Sequence, residues 1–568
     1  MIWNFRKPQE REEVRQLARS LGKPMKYAQF LLGRGLNNLD AIEDFTKSNL
    51  KTLPLPETMP GMIKAVKLFL DARQTGKLVA ISGDYDVDGL TATAVLTRIL
   101  NSLDFKVTSH IPNRLEDGYG LSSQAVEELH QKGAGLLVTV DCGVSDFEAI
   151  LTANRLGLPV VITDHHEIPP ILPPADAIIN PHLGGGWESY PLAGVGVAFM
   201  LAWAILRALQ LKGLYPQLDP PLVDNLALVA LGTIADMSPM IGTNRTMVRH
   251  GLKFLSRSTS PSLAALKAAA KLDEGRLLST RDVGFQLAPK INAAGRMGSA
   301  SPALELLTTD DFDRAKVLAN RLEEINRNRF ERQLKLVETA MELLEDSDPQ
   351  SRTVVLAGEN WPRGLLGLVA SRVAEEVHKP TVLFTIEGDI VVGSGRSVKG
   401  FNLYSALDDT RHLCLSLGGH SEAAGLKLKY ENLELFKEAF EISATKQPQV
   451  SEEEVLVDLT LCFNELNVLH RYFQELEPFG QGNPAPIALI KNLRVTDAFP
   501  TRSSGDKHIL FRFSDGTQTQ SFMGYNMGKK IDSLAPYLDI LLTFDNNRFN
   551  PKLPGWKLLD FKPSASNL

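Results

Sequence analysis

Three short apolar runs in this chain each lead into an acidic residue. The runs are rich in β-branched residues and alternate with amphipathic helical stretches, a pattern that predicts parallel βαβ units. Because the carboxyl ends of parallel strands share one edge of a sheet, where ligands bind, the acids are expected to lie close together. The runs and the acids are residues 78–82 with Asp84, residues 136–140 with Asp141, and residues 160–163 with Asp164.

The first acidic cluster places Asp84, Asp86 and Asp88 at alternate positions directly before a glycine. Three carboxylates so close together need a cation to neutralise them. A calcium-binding EF-hand loop opens with the same pattern, but it needs a Glu at its twelfth position, which here is Val95, and a helix upstream rather than a strand. A solvated acidic turn is the remaining alternative for this motif taken alone.

Two histidines follow the third strand, and a fourth acid lies further along the chain. His165 and His166 come directly after Asp164. One imidazole can ligate a metal while its neighbour faces a substrate. Asp236 ends an apolar helical run, and by itself it is equally consistent with an ordinary helix-terminal residue. Acids and histidines at three strand ends are a stronger indication of a metal site than any one of them.

Taken in order, the four acidic motifs resemble those of the DHH phosphoesterase superfamily. Four further motifs resemble the RecJ family of exonucleases within it, and the last two of these resemble the DHHA1 domain that accompanies DHH domains. The acidic motifs are DYDVDG (84–89), VDCG (140–143), TDHHE (163–167) and GTIADMSP (232–239). The further motifs are NRLEDGYG (113–120), LAPKINAAGR (287–296), GSGRS (393–397) and GGHSEAAG (418–425).

The resemblance implies an α/β fold in which a parallel-sheet DHH domain is joined by a long helix to a smaller α/β DHHA1 domain. A C-terminal β-barrel module of the OB type would follow. The connecting segment, from Asp311 to about Ser347, contains no Gly or Pro and would form a helix about 50 Å long. The predicted domains are an N-terminal helical cap (1–50), the DHH domain (51–310), the connecting helix (311–348), the DHHA1 domain (349–450) and the OB-like domain (451–568).

The resemblance also assigns roles within the site. Asp141 would bridge two divalent ions, Asp164 would orient an imidazole, and His166 would contact the scissile phosphate. A site rich in oxygen ligands with one imidazole suits Mn²⁺ and tolerates Mg²⁺. The predicted metal ligands are Asp84, Asp86, Asp88, Asp141, His165 and Asp236.

Cationic and hydroxyl side chains near glycines are candidates for holding the DNA backbone and a terminal 5′-phosphate, since arginine forks match phosphate oxygens. Two apolar residues in the same region, Phe285 and Met297, are predicted to be core residues. The predicted phosphate and nucleic-acid contacts are Arg114, Arg296, Ser394, Arg396 and His420.

The C-terminal region differs in charge from the rest of the chain. The formal net charge of the protein is −6, yet residues 484–568 hold 11 Lys and Arg against 7 Asp, a local net of +4. The same residues hold ten aromatics. OB folds bind single strands through basic grooves and aromatic stacking, so residues from about Pro484 onward are predicted to bind DNA without doing chemistry. Most of the ten aromatics are expected in the core.

Other features narrow the class of protein. The three cysteines form no CxxC pair, which disfavours a thiolate zinc site and fits a reducing cytoplasm. The N-terminus has no signal-peptide pattern. An uncharged apolar run, residues 191–206, has 16 residues, short of the roughly 20 that span a bilayer, and is expected to be a buried helix.

By resemblance, the chain is expected to be a single-stranded-DNA-specific exonuclease that works 5′ to 3′, releases 5′-mononucleotides, and acts in DNA repair and recombination. Expected partners are single-stranded DNA, single-strand-binding protein and a helicase, for a cytoplasmic monomer that does not bind membranes. One alternative is a DHH phosphoesterase acting on short oligoribonucleotides or cyclic dinucleotides, which would not need the C-terminal module. Another is a non-catalytic scaffold, which would not need all six metal ligands.

Overall fold

A computed structural model describes most of the chain, and its contacts divide it into two compact units. Unit 1 comprises Met1–Leu53, Pro239–Arg249 and Glu452–Leu568, and unit 2 comprises Pro54–Ser238 and His250–Ser451. Part of the predicted NRLEDGYG motif, residues 115–119, lies outside the described residues. The residues described are 1–114, 120–215, 222–273, 275–345, 348, 350–448, 454–501, 507–545 and 555–565.

The strands and helices are numbered here in chain order. The strands are β1 (Ile2–Phe5), β2 (Leu78–Gly83), β3 (Lys106–His110), β4 (Ala134–Val140), β5 (Val160–Thr163), β6 (Ala177–Ile179), β7 (Val354–Glu359), β8 (Thr381–Glu387), β9 (Ile390–Arg396), β10 (Cys414–Gly419), β11 (Ala423–Lys429), β12 (Glu454–Val457), β13 (Leu459–Thr460), β14 (Ile487–Pro500), β15 (Ile509–Ser514), β16 (Thr519–Gly524), β17 (Tyr537–Phe544) and β18 (Trp556–Pro563). The helices are α1 (Arg11–Leu21), α2 (Met25–Gly33), α3 (Leu39–Lys47), α4 (Met62–Thr75), α5 (Val87–Ser102), α6 (Ser123–Gln131), α7 (Phe147–Arg155), α8 (Gly194–Leu211), α9 (Leu226–Ala235), α10 (Gly242–Arg257), α11 (Pro261–Ala269), α12 (Thr280–Asp282), α13 (Ala288–Met297), α14 (Ser301–Thr308), α15 (Phe312–Glu345), α16 (Arg363–Val377), α17 (Leu403–Asp408), α18 (Leu433–Thr445) and α19 (Phe463–Gln474).

The first sheet of unit 2 is parallel throughout, in the order β3-β2-β4-β5-β6. The three strands predicted from the apolar runs are confirmed as β2, β4 and β5. They are almost entirely buried, as expected for a parallel sheet covered by helices. Their carboxyl ends therefore meet at one edge, which is the edge that carries the acidic motifs.

The uncharged run forms α8, which extends past Arg207 to Leu211. Among the described residues, α8 is the helix that is long and apolar enough to cross a membrane by length and composition, but 72% of it is buried inside the protein. It packs against α5. The expectation of a buried helix is confirmed, and α8 belongs to the protein core.

The second sheet of unit 2 has the order β10-β11-β9-β8-β7, with only the β7–β8 pair parallel. The predicted long helix is confirmed as α15, whose 34 residues span about 51 Å. Its buried residues lie towards its two ends, Ala315 to Leu322 and Leu336 to Ala340. The middle of α15 has no fully buried residue, as expected of a helix that joins two packed regions.

Unit 1 contains a closed barrel of the predicted OB type. The strands run β14-β15-β16-β18-β17, and a β14–β17 pairing closes the ring. One hydrophobic core joins the barrel with α1, α2 and α19. Strand β1, which the sequence does not predict, pairs with β12. Arg245 is buried and donates hydrogen bonds to the carbonyls of Phe45, Glu477 and Pro478, so the short segment Pro239–Arg249 is part of this unit.

Candidate active site

The first acidic motif turns sharply from β2 into α5. Asp84 follows the strand, and Asp86 caps the helix, its Oδ1 accepting hydrogen bonds from the backbone N–H groups of Asp88 (2.8 Å) and Gly89 (3.1 Å). A Cβ on Gly89 would lie 2.5 Å from the backbone oxygen of Asp84, so only glycine lets the helix begin so close to the strand end. The turn fixes three carboxylates at the sheet edge.

Asp141 follows β4 in a left-handed conformation, with φ of 62°. Its N–H donates to the carbonyl of Thr163 at 3.0 Å, which extends the β4–β5 pairing past the strand end. A Cβ on Gly194 would lie 2.3 Å from Asp141 Oδ1, so the start of α8 is packed directly on this carboxylate. Backbone strain of this kind is concentrated at functional sites, where the surrounding structure holds it.

Asp164 organises the third motif. Its Oδ1 accepts hydrogen bonds from the backbone N–H groups of His165 (2.7 Å) and His166 (3.1 Å) and lies 2.7 Å from His166 Nδ1. Its Oδ2 accepts from the N–H of Val144, which lies in the loop after Asp141. A single carboxylate thus links two motifs and fixes the orientation of the His166 ring.

Asp88 and Asp236 are held from the helical side of the site. The two Asp88 oxygens accept the N–H groups of Gly194 (2.7 Å) and Val195 (2.9 Å) at the start of α8. Asp236 ends α9 and accepts a hydrogen bond from the hydroxyl of Ser238. Ser238 was not predicted as part of the site, because nothing in the spacing of the motif shows that its side chain turns back onto Asp236.

The structure brings all six predicted ligands together. Possible ligand atoms lie within 4.8 Å of one another in overlapping groups, and His165 Nε2 is 3.1 Å from Asp141 Oδ1. Asp141 and His165 each belong to two groups, so they lie where neighbouring groups meet. The groups are Asp84, Asp86 and Asp141; Asp88, His165 and Asp236; and Asp141, His165 and His166.

A divalent cation fits the chemistry of this donor set. Asp84 Oδ1, Asp141 Oδ1 and His165 Nε2 are buried and make no hydrogen bond among the described residues, since the 3.1 Å approach of the last two atoms lacks hydrogen-bond geometry. Burial, and then repulsion from Asp86, raises the pKa of Asp84 to about 8, and burial with acidic neighbours raises the pKa of Asp141 well above its usual range. A cation would satisfy these atoms and stabilise the ionised carboxylates together.

The two histidines have opposite electrostatic environments. Burial lowers the pKa of His165, which favours the neutral imidazole that ligates metals. Burial also opposes charge on His166, but the hydrogen bond and the charge of Asp164 outweigh it and raise the pKa of His166 to about 9. At neutral pH His166 therefore carries a proton, and His165 does not.

Arginines from three separate motifs gather in unit 2. Arg296 is partly buried, and burial followed by repulsion from Arg114, Arg329 and Arg396 lowers its pKa to about 10. No described residue accepts a hydrogen bond from the Arg296 side chain. Arg396 donates to Ser394 Oγ at 3.2 Å and to the Gly395 carbonyl at 2.7 Å. Cations held together against their mutual repulsion indicate an anion-binding site.

The other predicted contacts lie around this arginine cluster. The Arg114 guanidinium carbon is 4.9 Å from the centre of the Tyr85 ring, which connects the cluster to the first acidic motif. His420 is exposed in the turn between β10 and β11, and Ala423, three residues later, pairs with Arg396 on β9. The structure therefore places His420 at the same end of the second sheet as Arg396, without a described contact to the cluster.

Sequence reasoning missed one arginine and misplaced one aromatic residue. Arg329 lies on α15, whose uninterrupted helical pattern does not show which of its many charges faces the cluster. Phe285 was predicted to be a core residue, but it is 78% exposed. It projects from the π-helical turn Val283–Leu287, so the prediction that it is a core residue was wrong. Met297 packs against the core, as predicted.

Comparison with known families agrees with the three regions described. The DHH family N-terminal domain matches residues 78–233, the DHHA1 domain matches residues 350–444, and the RecJ OB domain matches residues 457–553. Two similar curated proteins are named single-stranded-DNA-specific exonuclease RecJ. That of Bacillus subtilis is 32% identical over 99% of this chain and 72% of its own length, and that of Escherichia coli is 36% identical over 80% and 81%.

Solved structures of a RecJ protein share this fold. The crystal structure of RecJ from Thermus thermophilus in complex with Mn²⁺ superposes with a TM-score of 0.84 at 30% identity, covering 99% of this chain and 80% of that one. The same protein in complex with Mg²⁺ gives a TM-score of 0.79 at 28% identity, covering 99% of this chain and 79% of that one. The predicted fold class, a parallel-sheet DHH domain with a DHHA1 domain and an OB module, is confirmed.

Proposed function

Because the chain belongs to the RecJ family of single-stranded-DNA-specific exonucleases, we propose that it degrades single-stranded DNA from the 5′ end to 5′-mononucleotides. The observation that supports this most strongly is the buried group of Asp84, Asp141 and His165, whose unpartnered atoms converge at one sheet edge. Burying polar atoms without a hydrogen-bond partner costs free energy, unless a ligand binds to them. The proposed role in cells is DNA repair and recombination.

In this proposal the six predicted ligands hold two divalent ions, Mn²⁺ or Mg²⁺. The first group, Asp84 with Asp86, and the second group, Asp88 with Asp236, would each serve one ion, while Asp141 and His165 lie between them. When bound, two such ions supply the Lewis acidity that activates water at neutral pH and offset the charge of a phosphodiester. The hydrogen bonds to Asp88 and Asp236 fix the direction of each carboxylate.

The protein's own residues supply the proton that the leaving group takes up. Water adds to phosphorus, the bond from phosphorus to the 3′ oxygen breaks, and that oxygen takes up a proton. We assign the proton donor to His166, which is charged at neutral pH and is oriented by Asp164 through Nδ1. Nε2 is then the ring atom that would reach the leaving oxygen. Each cut leaves a new 5′-phosphate on the shortened strand.

The arginine cluster is the proposed binding pocket for that 5′-phosphate. Arg296 and Arg396 would bind the terminal phosphate together with Ser394, because their side chains are partly buried and repel one another without an anion. Arg114 and His420 would contact the adjoining backbone. Recognition of a terminal phosphate explains how an exonuclease selects an end without reading any base.

The surroundings of the enzyme complete the proposal. The OB barrel of unit 1 would hold the single strand, and single-strand-binding protein and a helicase would supply it. We place the enzyme in the cytoplasm as a monomer. These assignments rest on the family and on the basic C-terminal sequence.

One assay tests the proposed function. End-labelled single-stranded DNA, the matching duplex and a short oligoribonucleotide are incubated with the protein in Mn²⁺, in Mg²⁺ and in EDTA. The expected result is progressive loss of the single strand to mononucleotides with either metal, little loss of the duplex, and none in EDTA. Faster hydrolysis of the short RNA than of DNA would instead identify a small-substrate phosphoesterase, and binding without hydrolysis would identify a scaffold.

A further inference from the structure

Strand β7 is an edge strand of the second sheet in unit 2, and β8 is its only partner strand among the described residues. The N–H of Val354 donates to the carbonyl of Pro380 at 2.9 Å, so the backbone groups of Val354 point towards β8. Neighbouring residues in a strand point these groups to opposite sides, so those of Val355 and Ala357 point away from the sheet. Within the described part of the chain they have no hydrogen-bond partner.

This open edge has a defined beginning. The N–H of Thr353, directly before β7, donates to Glu441 Oε2 on α18 at 2.9 Å, and the carbonyl of Thr353 accepts a hydrogen bond from the Ser351 hydroxyl at 2.9 Å. The hydroxyl of Thr353 also donates to Glu441, at 2.6 Å. Side chains therefore satisfy the outward backbone groups of Thr353, and a further strand can pair with β7 only from Val355 onward.

Strand β7 lacks the sequence features that usually keep an edge strand from pairing. Proteins protect such edges with proline, lysine or a β-bulge. The sequence of β7 is VVLAGE, and its pairing with β8 has no bulge. The strand at the other edge of the same sheet, β10, is interrupted by a bulge between Cys414 and Ser416. Of the two edges, β7 is the one with a regular, open backbone.

A groove of about 770 Å³ lies beside the start of this edge. We call it the β7 groove; it is lined by β7, by the last turn of α15, by α18 and by the end of α16 with the turn that follows it. Leu344 and Glu345 belong to α15, Glu438 belongs to α18, and Val377 and Lys379 lie at and after the end of α16. The volume lies within the range of cavities that hold ligands.

The lining of the β7 groove combines apolar and acidic side chains. Leu344, Val355 and Val377 are partly buried apolar residues. Glu345 and Glu438 are exposed, and neither forms an ion pair with another residue that the structure describes. The whole lining holds four acids and two lysines, which gives a net charge of −2. A positively charged partner is complementary to such a surface.

We propose that the β7 groove is the docking site for an extended basic segment of a partner protein, which adds to β7 as a further strand. Its main chain pairs with the free backbone groups of Val355 and Ala357, and its side chains point alternately to the two sides of the strand. Lysine or arginine side chains contact Glu345 and Glu438, and apolar side chains contact Leu344. From Val355 to Glu359 the edge accommodates about five residues.

Charge argues against two other occupants. A nucleic acid would bring phosphates to a groove whose net charge is negative, so the β7 groove is not part of a DNA path. A second copy of the chain, paired edge to edge through β7, would bring Glu345 and Glu438 of one copy towards the same acids of the other, and like charges brought together oppose association. The two flanking helices would also meet their counterparts.

A synthetic peptide tests the docking site in the full-length protein. A short fluorescein-labelled peptide that alternates lysine and valine is titrated with the protein at low salt, and its anisotropy is measured. We expect saturable binding, and no binding of the matched peptide that alternates glutamate and valine. Methylation of alternate backbone nitrogens of the lysine peptide removes the hydrogen bonds of an added strand but keeps its charge. It should weaken binding about tenfold or more.

Substitutions in the protein give a second test. Val355→Pro removes the outward N–H of β7 but leaves the β7–β8 hydrogen bonds, and an edge strand tolerates proline at such a position. It should weaken peptide binding about tenfold. Glu345→Lys and Glu438→Lys should each weaken it about fivefold. Glu331→Lys, which changes another exposed acid of α15, is the matched control and should bind the peptide as the wild type does.

Thermal unfolding and DNA cleavage show whether the groove variants are folded. Val355, Glu345 and Glu438 belong neither to the acidic centre nor to the arginine cluster, so their variants should cleave DNA at the wild-type rate. If Val355→Pro does not fold, the methylated peptide and the two charge variants still decide the question. The inference does not depend on the proposed function, because peptide binding is measured without DNA.

The outcomes that would overturn the inference are distinct. Absence of saturable binding of the lysine peptide refutes it. Equal binding of the methylated peptide, or equal binding by the groove variants and Glu331→Lys, shows only a general attraction of lysines to an acidic surface. Weaker binding of an oligothymidylate in EDTA by Val355→Pro would place the groove on a DNA path. A dimer in sedimentation that Val355→Pro converts to a monomer would make the edge an interface between copies.

Discussion

The acidic centre of unit 2 and the exposed surface of the OB barrel of unit 1 are both assigned to single-stranded DNA in the proposed function, yet they are built in opposite ways. In unit 2, Asp88 and Asp141 are almost completely buried, and their charges are held together against burial and mutual repulsion. In unit 1, Phe499, Arg512 and Tyr525 are exposed and need no unusual environment. Catalysis requires charged groups that are shielded from water, because water screens their electrostatic effect. Sequence-independent binding requires an exposed surface that the DNA strand can reach.

This difference has a consequence for mutations. The acidic centre is a cooperative set, because each carboxylate is in place only while its neighbours and a cation offset its charge, so single losses should be severe. Exposed side chains on the barrel do not depend on one another in this way, so single losses there should be partial. The arginine cluster is intermediate, since its members are partly buried and share one function.

The largest effect is expected from Asp141→Ala. Loss of the carboxylate that belongs to two ligand groups should lower the rate of cleavage of saturating single-stranded DNA about a thousandfold or more, because several kcal/mol of charge stabilisation disappear. Affinity for DNA in EDTA should change little. The control is Glu148→Ala, which removes an exposed acid seven residues away. A rate within tenfold of the wild type would show that Asp141 is not a central ligand.

A smaller effect, restricted to one substrate, is expected from Arg396→Ala. A charge-assisted contact to the terminal phosphate contributes about 1.5–3 kcal/mol, so kcat/KM on 5′-phosphorylated DNA should fall about ten- to a hundredfold. On 5′-hydroxyl DNA it should fall much less. Arg411→Ala, in the same domain but exposed and paired with Asp408, serves as the control. Equal losses on both substrates would make Arg396 a general backbone contact or a structural residue.

The smallest effect in this series is expected from Ser238→Ala. Its hydroxyl donates to Asp236, and loss of such a supporting hydrogen bond typically weakens metal binding about tenfold. The Mn²⁺ concentration that gives half-maximal cleavage should rise accordingly, while the rate at saturating Mn²⁺ stays close to that of the wild type. Ser299→Ala removes an exposed hydroxyl and should leave both quantities unchanged. No shift in the Mn²⁺ requirement would mean that Ser238 does not support a ligand.

The sequence predicted the site best where a functional residue directly follows a strand in the chain. Asp84, Asp141 and Asp164 each directly follow a buried strand, and parallel pairing alone then brings them to one edge. Positions set by side-chain direction or by distant packing could not be predicted in the same way. Arg329 is one charge among many on α15, and the exposure of Phe285 depends on a π-helical turn that has no simple sequence pattern.

The sequence also could not show how unit 1 is assembled. Its core combines barrel residues such as Phe513 with Phe30 of α2 and Leu469 of α19, which lie far apart in the chain. Residues from Pro484 onward therefore share one core with segments from elsewhere in the chain. Deleting them would expose that core, so the predicted DNA binding of this region is better tested by substituting exposed residues than by truncation.

The most direct test of the central claim is the number of Mn²⁺ ions bound per chain at equilibrium, measured on metal-free wild type and on Asp141→Ala. Two ions are assigned to five aspartates and His165 of unit 2, so the wild type should bind two and the variant fewer, with the fold of both intact. A wild type that binds no Mn²⁺ would contradict the metal centre, and equal numbers in both proteins would contradict the role given to Asp141.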